Sequence, residues 1–158
     1  MDNKQKIEIF YDGSCPLCRA EIEAIELHDE HGIFAKTDCS SVEFDQTPYL
    51  AEGISREAMM TYLHLRTSNG EWLIGVNAFE LIYRSLGLNT AAYMWGGKMT
   101  RPLTSRLYPW IARNRNLLSL TGLPYLFQVW GKCAARRAYQ RSQACHGGKC
   151  SIQEKGRI

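Results

Sequence analysis

The chain has 158 residues, of which 45% are hydrophobic and 22% are charged, and its formal net charge is +3. This length predicts one domain, or one domain with an appended piece, and no apolar run approaches the roughly 20 residues that span a bilayer. Because residues 1–6 are polar and the next apolar run is short, we expect no secretory signal and a cytoplasmic location. In that reducing compartment, closely spaced cysteines indicate catalysis or metal binding rather than a structural disulfide.

The charge is divided unevenly along the chain. Residues 1–90 contain 7 Lys and Arg and 15 Asp and Glu, a net charge of −8, whereas residues 91–158 contain 12 basic residues and one acid, a net charge of +11. Such a division predicts two pieces with different surfaces. The basic piece either binds an anionic partner, such as a phospholipid surface or an acidic protein, or packs against the acidic piece. We do not expect nucleic acid to be a partner.

Residues 7–19 (IEIFYDGSCPLCR) predict a strand, a tight turn and a helix that starts between two cysteines. Apolar side chains alternate through residues 7–11, which is the pattern of a short strand. Gly13 lies in the middle of the turn that follows. Pro16 suits the first position of a helix, because that position needs no N–H donor and the proline ring already fixes a helical φ.

The two cysteines stand where a helix start makes a thiol reactive. Cys15 precedes the helix, and Cys18 lies one turn further along the same face. Unpaired N–H groups and the positive end of the helix dipole favour the nucleophilic thiolate, and Arg19 adds positive charge nearby. We therefore predict that Cys15 is exposed and attacks, and that Cys18 is more buried and resolves the mixed disulfide. Asp12 has three open roles: it raises thiol pKa values, caps the turn, or exchanges a proton with Cys18.

The stretch FYDGSCPLC resembles the signature of the DCC family of thiol–disulfide oxidoreductases, whose Asp and two Cys match Asp12, Cys15 and Cys18. Residues 72–79 (WLIGVNAF) resemble the family's strand, glycine and helix start, and residues 106–118 (RLYPWIARNRNLL) resemble its C-terminal helix with Arg and Asn. The resemblance covers roughly residues 6–118. It implies a thioredoxin-like fold and a thiol–disulfide exchange reaction, but it names no substrate.

The hydrophobic pattern predicts an α/β fold. We expect helices at residues 16–31 and 76–86, a loop or short helix at residues 45–53, and strands at residues 7–11, 33–37, 59–66 and 71–74. The last two strands should form an antiparallel hairpin. This order is typical of a thioredoxin-like mixed four-stranded sheet flanked by helices. Thioredoxin-like folds usually carry a cis-proline just before the third strand, but residues 56–59 contain no proline.

The expected domains are a thioredoxin-like core at residues 1–88, a basic helical extension packed on it at residues 89–141, and a mobile tail at residues 142–158. The extension should contain helices at residues 89–95, at residues 102–114 with a kink at Pro109, and at residues 125–141. Its tryptophans are interspersed with Arg and Lys, which indicates core aromatics with a basic rim or, alternatively, a membrane-surface helix.

The cysteines also allow other readings. Because C-x-x-C is half of a zinc site, Cys15 and Cys18 could bind metal, but the sequence offers no complete set of ligands near them. Cys145 and Cys150 flank a Gly-Gly pair in the tail. They are incidental cysteines, auxiliary thiols that shuttle electrons to the first pair, or metal ligands.

Two remaining cysteines and one histidine are assigned to packing. Cys39 and Cys133 are interpreted as small apolar residues of the interior, and His64 as a structural residue within a strand.

Together these features predict an enzyme that exchanges dithiol for disulfide with a protein or a small thiol, without a bound cofactor or metal. Its site residues are Asp12, Cys15 and Cys18, supported by Gly13, Pro16 and Arg19. The alternatives are a non-enzymatic module that binds a membrane surface or a protein through its basic, Trp-containing C-terminal half, and a metal-binding protein.

Overall fold

The computed structural model describes residues 6–121. The regular elements are β1 (Ile7–Tyr11), α1 (Pro16–His28), β2 (Phe34–Asp38), α2 (Thr47–Leu50), α3 (Arg56–Thr61), β3 (His64–Arg66), β4 (Trp72–Ile74), α4 (Val76–Ser85), α5 (Asn89–Gly96) and α6 (Arg101–Ser119). Strand β1 pairs in parallel with β2 and antiparallel with β3, and β4 joins β3 antiparallel, so the strand order is β2-β1-β3-β4. This mixed sheet with its helices confirms the predicted thioredoxin-like α/β fold.

Strand β1 is central, and its side chains alternate between two cores. Ile9 packs on one face with residues of α1 and α4, whereas Phe10 packs on the other face with Cys39 and Met59. Neighbouring side chains of a strand point to opposite faces, so burial of both fixes the position of the strand. The turn after β1 is thereby held at the carboxyl edge of the sheet, beside the end of β2, where Tyr11 pairs with Asp38.

Helix α1 ends at His28, three residues earlier than predicted. The Asp29 carboxylate accepts the backbone N–H groups of Ile33 at 2.8 Å and Phe34 at 3.1 Å, and these contacts turn the chain directly into β2. A carboxylate that bonds nearby N–H groups competes with continuation of the helix. The helical spacing of apolar residues alone does not reveal this competition.

Residues 59–61 belong to α3, whereas the hydrophobic pattern predicts that they begin the strand at residues 59–66, so that part of the prediction is wrong. Ser55 caps α3, because its hydroxyl accepts the Ala58 N–H at 3.2 Å. A short apolar run fits either a helix or a strand, and here the cap favours the helix. The predicted hairpin is confirmed with a shorter first strand, in which His64 lies opposite Ile74.

Helix α6 is anchored to the core by Tyr108. The ring of Tyr108 contacts Phe79 and Trp95, with ring centroids 5.6 and 6.2 Å away, and its hydroxyl accepts the Leu63 N–H at 2.9 Å. Gly75 has φ +59°, and a Cβ there would overlap the Tyr108 ring, so this position requires glycine. These contacts hold the segment before β3, the place where a cis-proline is usual. No peptide bond within residues 6–121 is cis.

Helix α6 ends at Ser119, beyond the predicted end near residue 114, and it runs through Pro109. Within the described residues, no helix has both the length and the apolarity that crossing a bilayer requires. The predicted helix at residues 125–141, the predicted tail, Cys133, Cys145 and Cys150 lie outside the described residues. The division at residues 88 and 141 stays a prediction.

Candidate active site

Cys15 occupies the N-cap of α1, as the sequence predicts. Its backbone is extended (φ −86°, ψ 117°), and Pro16 begins the helix behind it. The Cys15 sulfur accepts the Cys18 N–H at 3.4 Å. The sulfur therefore takes the place of the side-chain oxygen that usually satisfies the unpaired donors of a first helical turn.

The exposure of the two thiols is the reverse of the prediction. Cys15 is only 2% exposed, whereas Cys18 is half-buried. Capping is the physical reason, because the Cys15 sulfur folds back over the N–H groups of its own helix instead of projecting from the tip. The exposed surface at this tip belongs to Ser14 and Pro16.

The two sulfurs divide their protons unequally. A hydrogen bond from the Cys18 thiol, helped by the N–H groups of Cys18 and Leu17 and by the charge of Arg115, lowers the pKa of Cys15 to about 6 against the opposing effect of burial. The same hydrogen bond, burial and the negative charge on Cys15 raise the pKa of Cys18 far above its ordinary value. At neutral pH, Cys15 is therefore a thiolate and Cys18 a thiol.

Alkylation with iodoacetamide at neutral pH should modify Cys15 before Cys18. Because the pKa of Cys15 is lowered to about 6, its alkylation rate should be nearly constant above pH 6 and fall about tenfold per pH unit below it. Mass spectrometry of the tryptic peptide that contains both cysteines measures the site and the rate. Earlier modification of Cys18 would assign the nucleophile to the more accessible thiol and contradict the prediction.

Asp12 caps the turn between β1 and α1. Its carboxylate is 4% exposed, and Oδ1 accepts the backbone N–H of Ser14 at 2.9 Å and its hydroxyl at 2.5 Å. The other oxygen, Oδ2, accepts a hydrogen bond at 2.6 Å from the guanidinium of Arg115. Of the roles left open by the sequence, capping is visible in these contacts. After the Cys15 hydrogen bond and burial, the charge of Asp12 also contributes to the raised pKa of Cys18.

Arg115 lies at the candidate site, although no local sequence pattern predicts it there. It lies on α6 with its side chain 18% exposed and forms an ion pair with Asp12, 103 residues away in sequence. It also donates to the carbonyl of Met60, just before β3. The sequence predicts that Arg19 provides the nearby positive charge, but the Arg19 side chain is exposed. The signal that pointed to Arg115 was its place in the stretch that resembles the DCC helix with Arg and Asn.

Gly13 allows the turn to lie against the end of β2. Its N–H donates to Asp38 Oδ1 at 2.8 Å, and a Cβ at this position would overlap the Asp38 carboxylate. Burial opposes ionisation of Asp38, but hydrogen bonds from the Ser40 hydroxyl and from the N–H groups of Gly13, Ser40 and Ser41 outweigh it and lower the pKa of this carboxyl. A charged Asp38 therefore holds the turn that carries the cysteines.

Cys39 and His64 are buried, as predicted. Cys39 is 0% exposed and contacts Met59, and burial, followed by the charge of Asp38, raises its pKa to about 12. His64 is 1% exposed, and burial lowers its pKa. Within residues 6–121, no three His, Cys, Asp or Glu side chains are arranged to hold a metal ion.

An apolar cavity of about 330 Å³ lies beside Cys18, between α1, α6 and the segment before β3. Its lining residues include Leu17, Cys18, Glu21, Leu63, Phe79, Trp95, Leu107, Tyr108, Trp110, Ile111, Leu118 and Arg115. Glu21 of α1 lines the cavity and accepts a hydrogen bond from the Tyr83 hydroxyl. Burial raises the pKa of Glu21, although the hydrogen bond from Tyr83 acts in the opposite direction.

Comparison with known proteins gives a family and one relative. The family model described as DCC1-like thiol-disulfide oxidoreductase matches residues 9–121. An uncharacterized chloroplastic protein of Arabidopsis thaliana is 31% identical over 120 residues, which are 75% of this chain and 54% of that protein. The chain thus spans about half the length of this relative. No solved structure matches the chain.

Proposed function

Because the chain belongs to the DCC1-like thiol-disulfide oxidoreductase family, we propose that it exchanges dithiol for disulfide through Cys15 and Cys18. One observation carries this proposal: the Cys15 sulfur caps α1 and accepts hydrogen bonds from both the N–H and the thiol of Cys18. This arrangement supplies a thiolate at neutral pH together with a second thiol in contact with it. Both are needed for a two-step exchange.

In the reductive direction, the Cys15 thiolate attacks one sulfur of a substrate disulfide. A bond forms between Cys15 and that sulfur, the substrate S–S bond breaks, and the other half leaves as a thiolate. Loss of the negative charge on Cys15 removes a cause of the raised pKa of Cys18. Cys18 can then give its proton to the departing thiolate and attack Cys15, which closes the Cys15–Cys18 disulfide and releases the second substrate thiol. One dithiol, or two monothiols that leave as their disulfide, then restores the reduced Cys15–Cys18 pair.

Asp12 and Arg115 act as positioning residues in this scheme. Asp12 fixes the turn in front of Cys15 and holds Arg115 by an ion pair at 2.6 Å. The guanidinium then favours the thiolate of Cys15. The cysteine pair is itself the redox group, so the proposed reaction needs neither a bound cofactor nor a metal. The partner is a protein or a small thiol, and we propose a cytoplasmic location.

Replacing Cys18 with Ser tests the proposal, because this change stops the reaction after the first step. The Cys18→Ser variant should accumulate a mixed disulfide on Cys15 when it is mixed with oxidised glutathione. Fragmentation of the tryptic peptide locates the adduct. The Cys15→Ser variant is the matched control and should accumulate much less adduct. An adduct level that is equal in the two variants would contradict the proposal.

A second candidate function is peripheral binding to an anionic membrane, which the surface of α6 favours. The helix exposes Leu103, Trp110 and Leu117, which are 67%, 55% and 65% exposed, and it carries arginines but no acidic residue. Apolar and aromatic side chains next to basic ones are typical of a helix that lies on a membrane surface. Flotation of the full chain with vesicles of anionic and of neutral lipid measures this binding. If the chain floats to the same extent with anionic and with neutral vesicles, specific binding to an anionic membrane is excluded.

A further inference from the structure

We propose that the cavity beside Cys18 binds an apolar group of the substrate, so that the enzyme prefers disulfides whose cysteine is flanked by an aromatic or aliphatic side chain. This inference rests on the proposed exchange reaction and assigns its substrate class. The cavity reaches Cys18, whose thiol contacts the Cys15 sulfur. A group bound in the cavity therefore lies next to Cys18, whose thiol contacts the Cys15 sulfur that forms the mixed disulfide.

The chemistry of the wall favours an apolar ligand. Rings of Phe79, Trp95, Tyr108 and Trp110, together with aliphatic side chains of α1 and α6, form most of it. Four of the polar side chains in the wall already have partners within the protein. Asp12 and Arg115 pair with each other, the Tyr108 hydroxyl accepts the Leu63 N–H, and Glu21 accepts the Tyr83 hydroxyl. In this largely apolar wall a polar ligand would exchange its bonds to water for few replacements, whereas an apolar group has none to lose.

The size of the cavity agrees with this assignment. A volume of about 330 Å³ lies at the lower end of the range of roughly 300–1,000 Å³ that is usual for ligand sites. This space suits one aromatic or branched side chain with part of its backbone. Burial of such a side chain is favourable enough to raise the specificity constant about tenfold or more over a small polar side chain.

Arg115 adds a positive charge at the cavity, and this charge favours the thiolates that the exchange reaction forms. Its guanidinium lines the cavity, helps to lower the pKa of Cys15 and opposes the rise in the pKa of Cys18. When Cys15 attacks the substrate disulfide, the leaving sulfur becomes a thiolate beside this cation. The substrate that fits best therefore combines an apolar neighbour with a disulfide, and its reduction oxidises the Cys15–Cys18 pair.

Two disulfide-linked peptide dimers test the proposal: N-acetyl-Phe-Cys-amide and N-acetyl-Ser-Cys-amide. They share the same leaving cysteine and differ in the neighbouring side chain. The full chain is used with dithiothreitol as reductant, and the rate of dithiothreitol alone is subtracted. We expect kcat/KM to be at least about tenfold higher for the Phe dimer.

Variants on α6 locate the effect. Leu107 lines the cavity, and Leu107→Ser should lower the ratio of the two kcat/KM values toward one. Leu103 lies one turn earlier, is 67% exposed and does not line the cavity, so Leu103→Ser is the matched control and should keep the ratio. Both changes replace a partly exposed leucine of the same helix with the same residue, and so their effects on helix stability are comparable.

The outcomes separate the two proposals. Exchange with equal kcat/KM values for the two dimers overturns the substrate assignment and leaves the exchange reaction intact. A second copy of the chain, or a segment beyond residue 121, seated in the cavity would give this same result. Exchange with neither dimer overturns the proposed function and the substrate assignment with it. A ratio that falls equally in Leu103→Ser and Leu107→Ser overturns the assignment to the cavity.

Discussion

Replacement of Cys15 with Ser should reduce the rate of disulfide exchange on the order of a thousandfold or more, because the variant lacks the nucleophile. A serine hydroxyl does not form a disulfide, and burial, which is one of the causes that raise the pKa of Cys18, remains in the variant. In the variant Cys18 also loses the sulfur that would close an intramolecular disulfide. The measurement is the rate of reduction of a small disulfide, with dithiothreitol as the final reductant.

Cys39→Ala is the matched control for this experiment. Cys39 is 0% exposed, and burial raises its pKa to about 12, so it is neither accessible nor ionised at neutral pH. Its replacement should leave the exchange rate within about twofold of the wild type, and thermal unfolding of both variants checks that the fold is retained. A Cys15→Ser variant that keeps a tenth or more of the activity would refute the assigned nucleophile.

Replacement of Arg115 with Gln should both destabilise the protein and slow exchange. The Asp12 carboxylate is 4% exposed and would lose its ion-pair partner, which typically costs about 3–5 kcal/mol for a buried pair. The pKa of Cys15 should rise as well, because the Arg115 charge is one of the causes that lower it. Urea unfolding measures the first effect, and the pH dependence of Cys15 alkylation measures the second.

Two further variants separate these effects of Arg115. The double variant Asp12→Asn/Arg115→Gln removes the carboxylate that Arg115→Gln leaves unpaired. It should therefore recover part of the lost stability, while the pKa of Cys15 stays above its wild-type value. Arg113→Gln removes an exposed arginine from the same helix and should change neither quantity. If Arg113→Gln shifts the pKa of Cys15 as much as Arg115→Gln does, the effect belongs to the general charge of α6 and not to the pair with Asp12.

Arg19→Gln belongs in the same series, since the sequence assigned the nearby cation to this residue. Local spacing favoured Arg19 because it follows Cys18 directly. Its side chain points to solvent, where water and salt screen its charge. Arg115 acts through a buried contact that no local pattern contains. The family resemblance of residues 106–118 marked the right helix without marking the residue.

The sequence by itself determined those features that depend on neighbouring residues. Alternation through β1, the turn at Gly13, Pro16 at the first helical position and the three-residue spacing of the cysteines together predict Cys15 at the N-cap of α1, and the structure places it there. The succession of strands along the chain and the hairpin of β3 with β4 followed from patterns of the same short range. Such features are set by backbone geometry over one or two turns of chain, and so they can be read locally.

The tertiary structure alone decided what surrounds the two sulfurs. The burial of Cys15, the ion pair of Asp12 with Arg115, the close approach of Gly13 to Asp38 and the cavity beside Cys18 join segments that are distant in the chain. The reactivity of a thiol depends on the charges, donors and burial around it. Those are properties of the packed fold, which brings α6 onto the start of α1.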